Sequence, residues 1–235
     1  TVSVADGALK TLDILRDSAW IGGPCQSCAG WVDDRRIWFV SEADGYAHLY
    51  TLSADGQGRR QLTSGKWEVV GAELSPDKSS FWLHTSEGSP FNLHFYRMPT
   101  AGGARERITR EVGQHTVTVA PHGRLIADIH STPNRPPELY VAALGANTTI
   151  AQLTTSPTPD WLSFRWIKPE IVMIPASDRV QVPARIYRPA DLGATPNGAA
   201  AIFVHGAGYL HNVHNWWSTY YREYMFNHYL ASRGY

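Results

Sequence analysis

Short apolar runs recur along the first two-thirds of the chain, each cut by a polar or glycine-rich turn. RIWFVS, SFWLHTS and LIADIHS each lead through a polar turn into a second run, in HLYTLSADG, NLHFYRMPTAGG and ELYVAALGANT. A glycine-bearing turn and a short third run follow, in RRQLT, ERIT and AQLT. Leu49, Leu93 and Leu139 stand 44 and 46 residues apart, and Leu62, Ile108 and Leu153 stand 46 and 45 apart. Two independent landmarks that keep one period mark a structural repeat. With the strand before Ser75-Pro76-Asp77 or Ala120-Pro121-His122, each unit holds four short strands. Four strands in about 45 residues is the size of one β-propeller blade.

The opening TVSVADGALKTLD reads as the last two strands of a preceding unit, since Asp6-Gly7 holds the place of Asp55-Gly56. The expectation is therefore about three and a half four-stranded blades within residues 1–160, cut from a longer repeat array. Exposed blade faces and strand edges would make such a piece poorly soluble by itself. After Thr155 the pattern changes. The Pro-rich SPTPDWLSF forms a boundary, and EIVMIPASDRVQVPARIYRP reads as a hairpin around Ala176-Ser177-Asp178-Arg179. A surface loop, ADLGATPNG, leads to Ala199–Val204, an apolar run that suits a strand buried on both faces and ends at His205-Gly206-Ala207-Gly208. From Asn215, a candidate N-cap, the period turns helical. Trp217, Tyr221, Tyr224 and His228 fall near one face and Gly234 sits past the end.

Composition narrows the functional classes. Lys plus Arg and Asp plus Glu number 21 each, so no long-range field steers the chain toward nucleic acid or an anionic membrane. Nine Trp and 11 Tyr favour a β-rich protein. No stretch of 18 apolar residues spans a membrane. Cys25 and Cys28 form a single C-x-x-C without the second pair a zinc site needs, and read as small loop residues. No metal and no cofactor is implied. The sequon Asn147-Thr148-Thr149 matters only in a secreted protein of a glycosylating cell. The compartment stays open between periplasm and cytoplasm.

A blade array, then a hairpin, then a buried strand ending in H-G-x-G resembles the prolyl oligopeptidase family of serine peptidases. SEADGYAHLY and GKWEV (Gly65–Val69) resemble the blade signature and interblade turn of its dipeptidyl peptidase IV branch. PEIVMIPASD with VPARIYRP resembles the hairpin that opens the peptidase domain. The resemblance implies a mostly β chain: a partial β-propeller over 1–160, followed over 161–235 by the N-terminal part of an α/β-hydrolase domain. It implies an acyl-enzyme route on small peptide substrates, and it leaves a homodimer of the parent protein open. In that fold the triad runs Ser, Asp, His, with Ser on G-x-S-x-G. No G-x-S-x-G occurs here, so all three triad residues are expected beyond Tyr235 and the chain alone is expected to be inert. What this chain supplies under the resemblance is half an oxyanion hole, from His205 and the backbone N–H near Gly206. His205 stands where the branch carries a Tyr.

Plainer readings accompany these. His205 also fits a loop histidine bonded to nearby carbonyls. His211 and His214, three apart, fit solvated loop residues better than metal ligands. The aromatic stripe WWSTYYREYMF reads as a helix packed on a sheet. Glu42, Glu68 and Glu87 are not assigned to the paired-Glu amine site of dipeptidyl peptidases, which lies in an earlier blade. Gly22, Gly23 and Pro24 offer no large side chain to a substrate, which counts against a strict dipeptidyl preference. Two other classes fit the same residues: a non-catalytic propeller that binds proteins, and an esterase of the α/β-hydrolase fold.

Overall fold

The period in the sequence becomes three four-stranded antiparallel sheets. The computed structural model describes residues 1–18, 21–25, 27–145, 149–206, 210–218 and 221–235. Asn147-Thr148 of the sequon, and Ala207-Gly208 of the glycine turn, lie outside them. The first sheet runs β1 (Ala29–Trp31), β2 (Arg36–Ser41), β3 (His48–Ser53) and β4 (Arg60–Gln61). The second repeats the order with β5 (Val69–Leu74), β6 (Ser80–Thr85), β7 (His94–Pro99) and β8 (Glu106–Arg107). The third has β9 (Gln114–Val119), β10 (Leu125–Thr132), β11 (Arg135–Ala143) and β12 (Ile150–Gln152). A two-stranded sheet follows, β13 (Glu170–Pro175) with β14 (Gln181–Ile186). The helices are α1 (Pro159–Ser163) and α2 (Tyr221–Ser232), with a 3₁₀ turn at Pro189–Leu192.

Each sheet closes itself with one side-chain device. At the head of β3, the Leu49 N–H donates to Thr63 Oγ1 at 2.9 Å, and His48 Nδ1 lies 3.0 Å from the same hydroxyl. In the second sheet Phe95 N–H and His94 Nδ1 meet Thr109 Oγ1 at 2.9 and 3.3 Å. In the third, the Leu139 N–H donates to Thr154 Oγ1 at 2.9 Å, and Glu138 replaces the histidine, accepting from the Thr154 hydroxyl and from Ser156 N–H. The threonine ties the end of each unit to its third strand. It satisfies a backbone donor that a two- or three-residue fourth strand does not reach. The Leu62, Ile108 and Leu153 landmarks each precede this threonine, which is why they keep the period.

Contacts divide the chain into two units. The first comprises Thr1–Arg110, Val119–Leu125 and Leu144–Thr148; the second comprises Glu111–Thr118, Ile126–Ala143 and Thr149–Tyr235. In the first unit β3 is buried along five of its six residues, because both faces are covered. Its apolar cluster joins Trp38 and Leu49 of the first sheet to Val69, Phe81, Leu83 and Met98 of the second. Trp38 meets Phe81 edge-on at 5.8 Å. Phe39 and Tyr50, paired across β2 and β3, stack at 5.7 Å under the Arg59 guanidinium. Each large side chain so buried stabilises by about 1.5–3 kcal/mol. The GKWEV segment links the two sheets. Gly65 has φ +135°, and a Cβ there would lie 2.3 Å from the Trp67 indole nitrogen, so the turn takes no other residue cheaply.

Three expectations are corrected. Thr1–Lys10 makes one antiparallel bridge, Val2 to Leu9, rather than two strands. Cys25 and Cys28 are joined in a disulfide and are not merely small loop residues. Ala199–Val204 is neither a strand nor buried: Ile202 is 88% and Val204 81% exposed. A strand buried on both faces needs ladder partners on its edges and cover on its faces, and the described residues provide neither. The second unit keeps its hairpin in full register, from Glu170 opposite Ile186 to Pro175 opposite Gln181, with Arg179 at φ +69° in the turn.

Candidate functional site

His205 and Gly206 lie in the second unit, in an exposed loop that leaves the Ala199–Val204 segment. His205 Nδ1 sits 2.9 Å from the Gly206 carbonyl, so the ring is turned onto its own backbone. Among the described residues, nothing stands within 4 Å of the place a Cβ on Gly206 would take.

The residues that follow are better fixed. His214 is 3% exposed and stacks face to face on Trp216 at 3.9 Å, while His211 stands edge-on to both rings. This corrects the reading of both histidines as solvated: His211 is at the surface, but His214 is core. Burial, with the Arg185 guanidinium and His211 as further causes, holds the His214 imidazole neutral, its pKa lowered to about 3. Partial desolvation also pushes the His211 pKa down; the Val213 backbone bond opposes the shift and His205 adds to it. Among the described residues no group of three or more His, Cys, Asp or Glu side chains is placed to hold a metal ion.

Arg185 organises this corner, and sequence reading passed over it. Alternation along β14 puts Arg185 and Tyr187 on one side of the strand. Arg185 Nη1 donates to the Asn212 carbonyl at 3.3 Å and Nη2 to the Tyr187 hydroxyl at 3.2 Å. The signal was a cation inside the otherwise apolar PARIY, a position that needs internal acceptors.

Helix α2 anchors the other side. It is described from Tyr221, residues Asn215–Ser218 being non-helical, so Asn215 is not its N-cap; it ends in a Schellman motif, in which Gly234 N–H donates to Ala231 O and Tyr235 N–H to Leu230 O. Tyr224 is fully buried, donates to the Ile167 carbonyl at 2.7 Å, and lies 5.2 Å from the Trp217 ring. Burial raises its phenol pKa well above the usual range. His228 packs on Trp166 at 4.9 Å. Of the predicted face, Tyr224 and His228 are packed, but Trp217 precedes the helix and the Tyr221 side chain lies outside the described residues; Met225, Phe226 and Tyr229 are exposed, so the stripe is not core throughout.

The three glutamates are structural. Glu42 accepts from Gly22 N–H, Glu68 from Ala47 N–H, and Glu87 holds Arg105 through two bonds of 2.6 and 2.7 Å. Burial raises the Glu68 pKa despite that bond. No helix is long and apolar enough to cross a membrane among the described residues.

Residues 7–137 match the family described as the dipeptidyl peptidase IV (DPP IV) N-terminal region. The chain belongs to that family. The first and second sheets of this DPP IV-like, prolyl oligopeptidase-family chain, with the GKWEV link between them, fall inside the matched span. The crystal structure of Porphyromonas gingivalis dipeptidyl peptidase 4 is similar in fold, with a TM-score of 0.63 at 21% identity. The similarity covers 85% of this chain and 28% of that one, so the chain spans little more than a quarter of that protein's length.

Proposed function

We propose that residues 1–160 are blades of a propeller, and that residues 161–235 begin an α/β-hydrolase domain in a serine peptidase that cleaves small peptides through an acyl-enzyme. The observation that carries this reading is an order: a DPP IV N-terminal match over 7–137, then the β13–β14 hairpin, then an apolar run ending at His205-Gly206. In the proposed enzyme Ala199–Val204 becomes a strand once further strands lie beside it, and that pairing turns the His205 loop toward the nucleophile. His205 Nε2, or the Gly206 N–H, then donates to the oxyanion of the tetrahedral intermediate, where charge develops that the ground state lacks. The propeller limits access to short peptides. The likeness to Porphyromonas gingivalis dipeptidyl peptidase 4 supports a dipeptidyl substrate, whereas Gly22, Gly23 and Pro24 offer no bulky side chain, which counts against a strict dipeptidyl preference.

The test is made on the full-length protein with a fluorophosphonate probe and a chromogenic dipeptide substrate. Active-site labelling with turnover is expected, and His205→Ala is expected to lower kcat by about 10²–10³ with KM little changed. Absence of labelling overturns the peptidase reading. Labelling with unaltered kcat in His205→Ala leaves the peptidase but removes His205 from the oxyanion hole.

A further inference from the structure

The disulfide between Cys25 and Cys28 closes a sequence separation of 3, in the turn that enters the first sheet. Neither the sheet ladders nor the functional reading above uses it. The chain entropy a cross-link removes grows with the logarithm of loop length, so one this short constrains the unfolded chain least. The backbone around it is held by other bonds. Cys28 N–H donates to Cys25 O at 3.0 Å, and Val40 N–H to Cys28 O at 2.9 Å, which prolongs the β1–β2 ladder by one rung. The Glu42 carboxylate accepts from Gly22 N–H at 3.2 Å. Both cysteines are half-buried, with Cys28 on the margin of the apolar cluster and Cys25 beside the exposed Pro24. The residues on either side of the cross-link thus have anchors besides it, and both cysteines keep part of their surface in solvent. The short loop gives the bond little entropic leverage on stability.

We propose that Cys25–Cys28 is a reversible thiol–disulfide couple, a redox site whose co-reactant is a low-molecular-weight thiol. A thiolate of that class attacks one sulfur. The Cys25–Cys28 bond breaks, a mixed disulfide forms, and the other cysteine leaves as thiolate and takes a proton from water. A second thiol resolves the mixed disulfide. The protein gains two electrons and two protons, and the two co-reactant thiols become one disulfide. Reversal restores the closed turn, and the ladder from Val40 to Cys28 persists in both states.

The experiment equilibrates the native full-length protein in glutathione buffers of varied reduced-to-oxidised ratio, alkylates it, and digests it with trypsin. Cleavage after Arg16 and Arg35 leaves both cysteines in one peptide, Asp17–Arg35, so any cysteine elsewhere in the protein does not interfere. The ratio of doubly alkylated to disulfide peptide is expected to change about tenfold for each tenfold step in [GSH]²/[GSSG]. It is expected to reverse on adding oxidised glutathione, with an unchanged far-UV circular dichroism spectrum. Three results overturn the proposal: label that enters only in denaturant, label that enters with loss of the spectrum, and a peptide that stays reduced at every ratio. A C25S/C28S variant is expected to keep the native spectrum; if it does not fold, the bond is a structural staple and the proposal fails by that route too.

Discussion

The strands of the first two sheets and the Ala199–Val204 segment all read as strand-forming apolar runs in sequence, and they are opposite in outcome. Leu49 and Phe81 are completely buried, whereas Ile202 and Val204 stand almost fully in solvent. The difference is where each stretch finds its partners. A strand of the repeat pairs with the next run along the chain, across short turns, and its faces are covered by the neighbouring sheet. The 199–204 run has the composition of a sheet interior but no consecutive partner, because parallel strands meet only through long crossovers. Hydrophobicity by itself marks a strand that must be covered, and connectivity decides whether the cover is present.

Core truncation gives the widest separation. Phe81→Ala should destabilise by about 3–5 kcal/mol, seen as a lower denaturant midpoint. Ile202→Ala in this chain, where Ile202 is almost fully exposed, should change stability by less than about 0.5 kcal/mol. In a protein whose sheet is completed, Ile202→Ala should instead cost about 2 kcal/mol or more, and equal small effects in both would remove the proposed strand.

Acid should act on the second unit through His214. Its folded pKa lies below the unfolded value, so the neutral ring contributes stability that is present above about pH 6.5 and is lost as pH falls toward about 3. The groups around it are Arg185 and His211, which disfavour its charge. Between pH 6 and pH 4 the loss should be about 2–3 kcal/mol, measured as the pH dependence of unfolding. A His214→Gln variant should lack that part of the slope, and an unchanged slope would rule the ring out.

Smaller effects test the clamp that repeats. Thr63→Ala and Thr109→Ala should each cost about 1–2 kcal/mol, since the buried Leu49 and Phe95 N–H groups lose their acceptor, while Thr63→Ser should restore most of the loss. Equal behaviour at the two positions is expected from their shared geometry. A change of comparable size concerns α2. Gly234→Ala places a Cβ 2.6 Å from the Thr195 backbone carbonyl at φ +91°, and about 2 kcal/mol or more should be lost from the second unit with no effect on the first.

Much of this architecture was legible along the chain. The four-strand period, the turns at Ser75–Ser79 and Ala120–Arg124, the β13–β14 hairpin and the Gly234 stop all follow from local signals. These elements form between neighbours in sequence, where turn chemistry and alternation suffice. The core identity of His214 was not legible, since nothing in YLHNVHN distinguishes a histidine stacked on Trp216 from one in water. Nor was the role of Arg185, whose acceptors, Asn212 O and the Tyr187 hydroxyl, come from two different segments.

The amino-acid order alone determined the repeat, its length and its family, because each four-stranded sheet's hydrogen bonds run between residues close in sequence. Tertiary structure alone decided which apolar runs are covered, which histidine is neutral core, and that Cys25 and Cys28 are joined. Burial is a property of neighbours brought from a distance. A run such as AAAIFV states only what it needs, and the rest of the fold determines whether that need is met.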